Sequence, residues 1–153
     1  MSSIQKTYIK LMLARRGLVG DIREYDCYFI VANTVLVYIV EHTKVTSDII
    51  KKILSILNGI EHVIIIHAKS ITPDAKNAVS TKVVTFETWT FNEMSYDIEQ
   101  IIPKHVKLLE KPNEWKKLPI ILTTDYASRY YNFKRNDVIK ITDGDEITYR
   151  RCV

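Results

Sequence analysis

The residue types that cut phosphodiester bonds with a divalent cation are an Asp on one strand and a Glu–any–Lys on the next. Together they hold the metal and position water. This chain has fragments of such a set. Pro73-Asp74 is one, and Glu114-Trp115-Lys116 is the single Glu–any–Lys of the sequence. Pro73-Asp74 reads as a helix start, however, and Glu114–Lys116 lies far downstream in what reads as a different module. The strand expected from Lys82 to Glu87 is followed by Thr88 and Trp89, so no lysine stands where the chemistry needs one. The nuclease set therefore reads as absent. Neither a phosphate-loop glycine pattern, nor Gly-x-Ser-x-Gly, nor His-Glu-x-x-His occurs. The two cysteines, Cys27 and Cys152, lie at opposite ends without a Cys-x-x-Cys pair, which leaves a zinc site unsupported. Cys27, in an apolar run, reads as a core thiol. No catalytic residue, metal or cofactor is expected in this chain.

Binding chemistry is easier to place. The formal charge of +4 permits contact with nucleic acid without demanding it. Thr72-Pro73-Asp74 has the cap, the first-turn proline and the acidic residue of a helix N-terminus. With Lys69 and Lys76 beside it, Lys69, Thr72, Pro73 and Lys76 are candidates for meeting DNA phosphates, independent of sequence. The plainer reading is an ordinary capped helix with solvated lysines. A stand-alone duplex binder would need a basic stripe, but Lys104, Lys107, Lys111, Lys116 and Lys117 are interrupted by acidic and apolar residues.

The 153 residues suit one domain or two small ones. The composition is that of an ordinary globular chain. No stretch approaches the ~20 apolar residues of a membrane span, and Met1–Lys6 lacks a secretory signal's features. A cytosolic, nuclear or comparable location follows. Ile4 to Arg15 reads as a helix with Ile4, Tyr8, Leu11 and Met12 as its stripe, stopped at Arg16-Gly17. Tyr25–Val31 and Thr34–Glu41 read as a hairpin turning at Ala32-Asn33. A helix is expected over Asp48–Leu57, capped by Thr46 or Ser47. A covered central strand is expected over Val63–Ile66, then the short helix at Thr72 and the strand Lys82–Glu87. Strands separated by helices imply parallel crossovers in a layered α/β module. From Ile101 the pattern changes to a small α+β unit. It comprises a strand at Ile102–Val106, a polar loop Lys111–Lys117 around Trp115, a helix Tyr126–Tyr131 and a hairpin of Asp137–Ile141 with Glu146–Arg151 turning at Asp143-Gly144-Asp145.

This second unit carries a resemblance. Leu118-Pro119, Asp125, Arg129-Tyr130-Tyr131, Lys134-Arg135, Asp137-Val138-Ile139-Lys140-Ile141 and Thr148-Tyr149-Arg150 resemble the C-terminal module of RNA polymerase subunit 5, a family with both eukaryotic and archaeal members. Ile102-Pro103-Lys104-His105-Val106 is similar to the segment that opens that module. Looser echoes at Leu13–Gly17, Ile71–Ala75 and Phe91–Met94 extend the likeness over nearly the whole chain. The resemblance implies an N-terminal α/β jaw module over residues 1–96, related to a nuclease-like fold, and a C-terminal assembly module over 97–153. It implies a non-catalytic subunit of a multisubunit DNA-directed RNA polymerase, packed on the largest subunit and near downstream duplex DNA. The two-module layout resembles the form found in eukaryotes or their viruses. The location would be the nucleus, or host cytoplasm or virion for a virus of eukaryotes. His105, Asp125, Arg129, Tyr130, Lys140, Tyr149 and Arg150 become subunit-interface candidates on this basis. Read without the resemblance, Arg129 would pair locally with Asp125, Tyr149 would pack in the small core, and His105 would be a structural hydrogen-bonding residue. The family's usual glycines are replaced by Asn132 and Asn136, which still favour a left-handed backbone. Tyr126 replaces a proline, and the last hairpin is shorter than the family's.

Overall fold

The computed structural model describes residues 2–80 and 83–153, apart from the side chain of Ile4. Residues through Tyr96 form one compact unit and Asp97–Val153 a second.

In the first unit, helix α1 (Ser3–Arg15) begins with a capping box. The Ser2 hydroxyl accepts from the Gln5 N–H, and the Gln5 side chain answers on the Ser2 N–H. It ends where the Gly17 N–H reaches Ala14 O and the Leu18 N–H reaches Leu13 O, with Gly17 left-handed at φ 80°. The buried side chains of α1 are Ile9, Met12 and Leu13. Of the expected stripe only Met12 is among them, while Tyr8 and Leu11 are half-buried.

The sheet runs in the order β1 (Ile22–Glu24), β2 (Tyr28–Val31), β3 (Val35–Val40), β4 (His62–His67), β5 (Thr85–Thr90). The first three strands are antiparallel neighbours. β3, β4 and β5 are parallel, as the intervening helices require. The connection is Ala32–Thr34, one residue longer than expected, with Ala32 and Asn33 left-handed at φ 50° and 56° and the Thr34 N–H returning to Val31 O at 3.0 Å. Helices α2 (Ser47–Ile56) and α3 (Pro73–Ser80) cover one sheet face. There Leu36, Tyr38, Val40, Val63 and Ile65 pack with Ile50, Ile53 and Ala75. The alternate residues Phe29, Val31, Val35, Val37, Ile64, Ile66 and Trp89 are buried on the other face. Helix α1 covers it, with the Lys10 ammonium 5.9 Å from the Phe29 ring centre and Arg16 bonded to Glu87.

Two elements depart from expectation. β1 has no counterpart in the sequence pattern: its three residues are all exposed and carry no alternation. β5 runs Thr85–Thr90 rather than Lys82–Glu87. Lys82 lies outside the described residues, and the strand continues through the charged Glu87 to the buried Trp89.

The second unit is a four-stranded sheet in the order β6 (Lys104–Lys107), β8 (Val138–Asp143), β9 (Glu146–Cys152), β7 (Ile120–Ile121). Helix α4 (Tyr126–Tyr130) precedes the final hairpin. The core is Phe133, Ile139 and Cys152, flanked by Ile121, Tyr131 and Ile141. Cys152, uninformative by its place in the sequence, is thus a core residue. Cys27, expected in the core, is only half-buried, and both thiols are free.

Candidate functional site

Three places could carry function, and they differ in how their charges are satisfied. The first is the start of α3. Val45, after β3, and Ile71, after β4, form a parallel bridge, and the Thr72 N–H donates to Val45 O at 2.9 Å. The helix start is thereby fixed beyond the carboxyl ends of two parallel strands, where such sheets usually present ligand sites. His67 ends β4, and its Nδ1–H donates to Lys69 O at 2.6 Å, pinning that loop. Lys69, Pro73 and Lys76 are exposed, and Thr72 is half-buried. The Thr72 hydroxyl already accepts from the Ala75 N–H at 3.3 Å, so one of the helix's free donors is taken.

The second place is a buried charge cluster that the sequence did not announce. The Arg16 guanidinium, 2% exposed, grips both oxygens of Glu87 at 2.9 and 2.5 Å. Trp89 Nε1–H donates to the same carboxylate at 2.5 Å and His62 Nε2 lies 3.2 Å from it. Burial alone would push the Glu87 carboxyl up. The hydrogen bonds from His62, Arg16 and Trp89 and the Arg16 charge outweigh it and hold the group down at about 2. The carboxylate accepts from three side chains and is 16% exposed, so it is committed to structure. This is the chemistry of a fixed strut, unlike a nuclease carboxylate, which must stay open to metal and water. Asp74 lies exposed on α3 in the first unit and Glu114-Trp115-Lys116 in the second. No cluster of three metal-ligating side chains occurs among the described residues. The nuclease reading is not supported.

The third place is the sheet of the second unit, whose two faces differ. The register puts His105, Ile139, Ile141, Arg150, Cys152 and Ile121 on one face. That face is covered by Tyr131 and Phe133. His105 stacks on Tyr131 with ring centres 6.3 Å apart, and its Nδ1–H donates to Pro103 O at 2.6 Å. Tyr131 in turn donates to Glu99 at 2.6 Å. His105 is thus held as a structural hydrogen-bonding residue. On the opposite face lie Lys104, Val106, Val138, Lys140, Thr142, Ile147, Tyr149, Arg151 and Ile120; Val138, beside Arg151, is buried there. Four of its apolar side chains remain open: Val106 42%, Ile120 50%, Ile147 49% and Tyr149 40% exposed. Tyr149 also lines an open groove of about 410 Å³ whose apolar walls are Leu108, Pro112 and Leu118 and whose rim carries Glu110, Lys111 and Asn113.

The expected interface residues do not form one patch. Lys140 and Tyr149 are direct cross-strand partners on the open face. His105 and Arg150 are on the covered one. Arg129 is half-buried in the last turn of α4, and Asp125 caps that helix while its carboxylate accepts from the Leu122 N–H at 3.0 Å. Tyr130 is buried, its ring edge-on to Tyr131; within this unit it acts as a core residue. Tyr149 is not in the small core.

Residues 99–153 match the family model described as RNA polymerase Rpb5, C-terminal domain. A relative from Dictyostelium discoideum, DNA-directed RNA polymerases I, II, and III subunit rpabc1, is 34% identical over 143 residues, covering 79% of this chain and 73% of that protein. DNA-directed RNA polymerase subunit 5-like protein 1 of Arabidopsis thaliana is 30% identical over 143 residues, covering 80% and 68%. The chain belongs to the RNA polymerase subunit 5 family. That family supplies non-catalytic subunits of DNA-directed RNA polymerase. The family model's span begins two residues after the second unit does, at 99 against 97, and includes every interface candidate. Within it, sequence reasoning reached only Lys140 and Tyr149 of the open face. The missed signal was the alternation Ile147, Tyr149, Arg151 with no acidic residue in step. The Glu87 cluster was missed because its partner, Arg16, stands in another element.

Proposed function

We propose that this chain acts as subunit 5 of a multisubunit DNA-directed RNA polymerase, its second unit docking on the largest subunit and its first unit forming part of the jaw around downstream DNA. The observation that carries this reading is the coincidence of the family match with a compact unit that keeps one sheet face open. A monomeric globular unit has little reason to leave four apolar side chains of one small sheet in water, whereas a subunit does. Any DNA contact at Lys69, Thr72, Pro73 and Lys76 is to phosphates and indifferent to sequence. The polymerase's catalytic residues and metal belong to other chains. The relatives' eukaryotic origin favours a nuclear location.

The test is affinity purification of the tagged chain from its native cells, with mass spectrometry and a promoter-independent transcription assay. Recovery of two very large polymerase subunits with RNA synthesis is expected. Recovery of the chain without polymerase subunits at any salt concentration overturns the assignment. An Arg129→Ala variant then tests the assembly contact, with loss of the largest subunit as the expected outcome.

A further inference from the structure

The open face of the second unit is chemically one-sided. Lys104, Lys140 and Arg151 stand on it among Val106, Ile120, Ile147 and Tyr149, and β6 to β9 place no carboxylate there. Of the acidic residues of the final hairpin, Asp143 and Glu146 are register partners on the other face and Asp145 lies in the turn. Lys107, also on the other face, is paired with Asp137 at 2.9 Å. Lys104, Lys140 and Arg151, by contrast, make no ion pair among the described residues. Arg151 is half-buried, and its Nε is shielded from solvent with no acceptor among the described residues. A shielded guanidinium donor without an acceptor is costly. A partner cannot reach an atom that solvent cannot, so a carboxylate would meet Arg151 at the terminal nitrogens of its half-buried guanidinium.

From this we infer that the open face receives a protein segment in which carboxylates alternate with apolar side chains, with Arg151 and Lys140 meeting the carboxylates and Ile147, Tyr149 and the adjoining groove taking the apolar side chains. The inference rests on the subunit reading for the existence of a partner and adds its chemistry. Cations spaced on a pleated surface suit acidic residues two apart on an extended segment. A nucleic-acid backbone would satisfy the cations but leave the four apolar side chains facing phosphate. A second copy of this face would bring like charges together.

The experiment places a photo-crosslinking phenylalanine analogue at Ile147 of the full chain, expressed in native cells, and sequences the crosslinked peptides. A crosslink to a polymerase segment with acidic and apolar residues interleaved is the expected result. A crosslink to nucleic acid, to another copy of this chain, or to a segment without carboxylates overturns the inference, as does no crosslink at all. If polymerase subunits co-purify in those cases, the subunit reading survives. An acidic-apolar crosslink to a protein outside any polymerase would keep the inference and sink the subunit reading. Arg151→Leu supplies the second measurement. It removes the unsatisfied donor, so the isolated chain should melt no lower than the parent. Partner retention at matched salt should fall at least about tenfold. Unchanged retention in a folded Arg151→Leu protein overturns the role given to Arg151.

Discussion

The two units of this chain differ in how completely the charges on their sheets are paired. In the first, Arg16, Glu87, His62 and Trp89 close on one another, and the carboxylate has acceptor sites filled on both oxygens. The second also pairs a shielded carboxylate, Asp137, with Lys107 at 2.9 Å, but Lys104, Lys140 and Arg151 on its opposite sheet face have no counter-charge among the described residues. A charge whose partner lies within the fold contributes to the fold. A charge whose partner is missing marks a surface that is finished by another molecule. The first unit is a layered α/β body with both sheet faces covered, whereas the second leaves part of one sheet face open.

The strongest way to break the comparison is to remove one half of the internal pair. Arg16→Ala leaves Glu87 buried without its main counter-charge. A loss of about 3–5 kcal/mol is expected in the first unit. Hydrogen exchange read by mass spectrometry should show lower protection in β4 and β5 and no change in β8 and β9. Equal loss in both units would mean that they unfold together, and the comparison would lose its basis.

Acid should act on the same pair. Glu87 is held at about 2, below the ordinary value of 4.5. A carboxyl with a depressed folded value contributes its stability fully above pH 4.5 and loses it as pH falls toward 2. The contribution is on the order of 3 kcal/mol. In a Trp115→Phe background, the fluorescence of Trp89 follows the first unit alone, because the chain has two tryptophans. Urea midpoints taken at pH 5 and pH 2.5 should differ much more in this background than when Glu87→Gln is added. Equal pH dependence in both would remove Glu87 as the cause.

Local pattern makes the hairpin, the central strand β4, the helices α2 and α3 and the closing hairpin legible, because each carries its own period and its own stop. What stays illegible depends on a distant partner. Glu87 looks like the end of a strand because a lone acid in an apolar alternation has no local explanation, and Arg16 is the explanation. β1 has three exposed residues and is recognisable only by its pairing with β2. The expected stripe of α1 is right at Met12, but Ile9 and Leu13 are buried beside it where Tyr8 and Leu11 are only half-buried. In the second unit, the motif residues are found through resemblance, yet resemblance does not say which face of a strand they occupy. That is why it groups Tyr130 and His105 with Lys140 and Tyr149, although the fold buries Tyr130 and pins His105 beneath Tyr131.

The smallest predicted effect concerns a feature the two units share. Both α1 and α4 end in the same hydrogen-bonding arrangement. In α1 the Leu18 N–H reaches Leu13 O around a left-handed Gly17; in α4 the Phe133 N–H reaches Ser128 O at 2.8 Å around a left-handed Asn132 at φ 57°. Asn136 is also left-handed, at φ 72°, but ends no helix; its N–H reaches Cys152 O at 2.8 Å. Gly17 has open space where a Cβ would stand, so Gly17→Ala costs only backbone strain, about 1 kcal/mol. Asn132→Ala should cost about 1 kcal/mol or less, since Asn tolerates this conformation better than Ala but worse than Gly. Asn132→Gly should change stability by no more than a few tenths of a kcal/mol, because easier backbone geometry is offset by greater freedom in the unfolded chain. Thermal melting of the three variants, with hydrogen exchange to assign each effect to its unit, checks the ranking. A destabilisation by Asn132→Gly as large as that by Asn132→Ala would mean that the Asn side chain itself, which accepts from Lys134 Nζ at 2.5 Å, holds the turn rather than its backbone conformation.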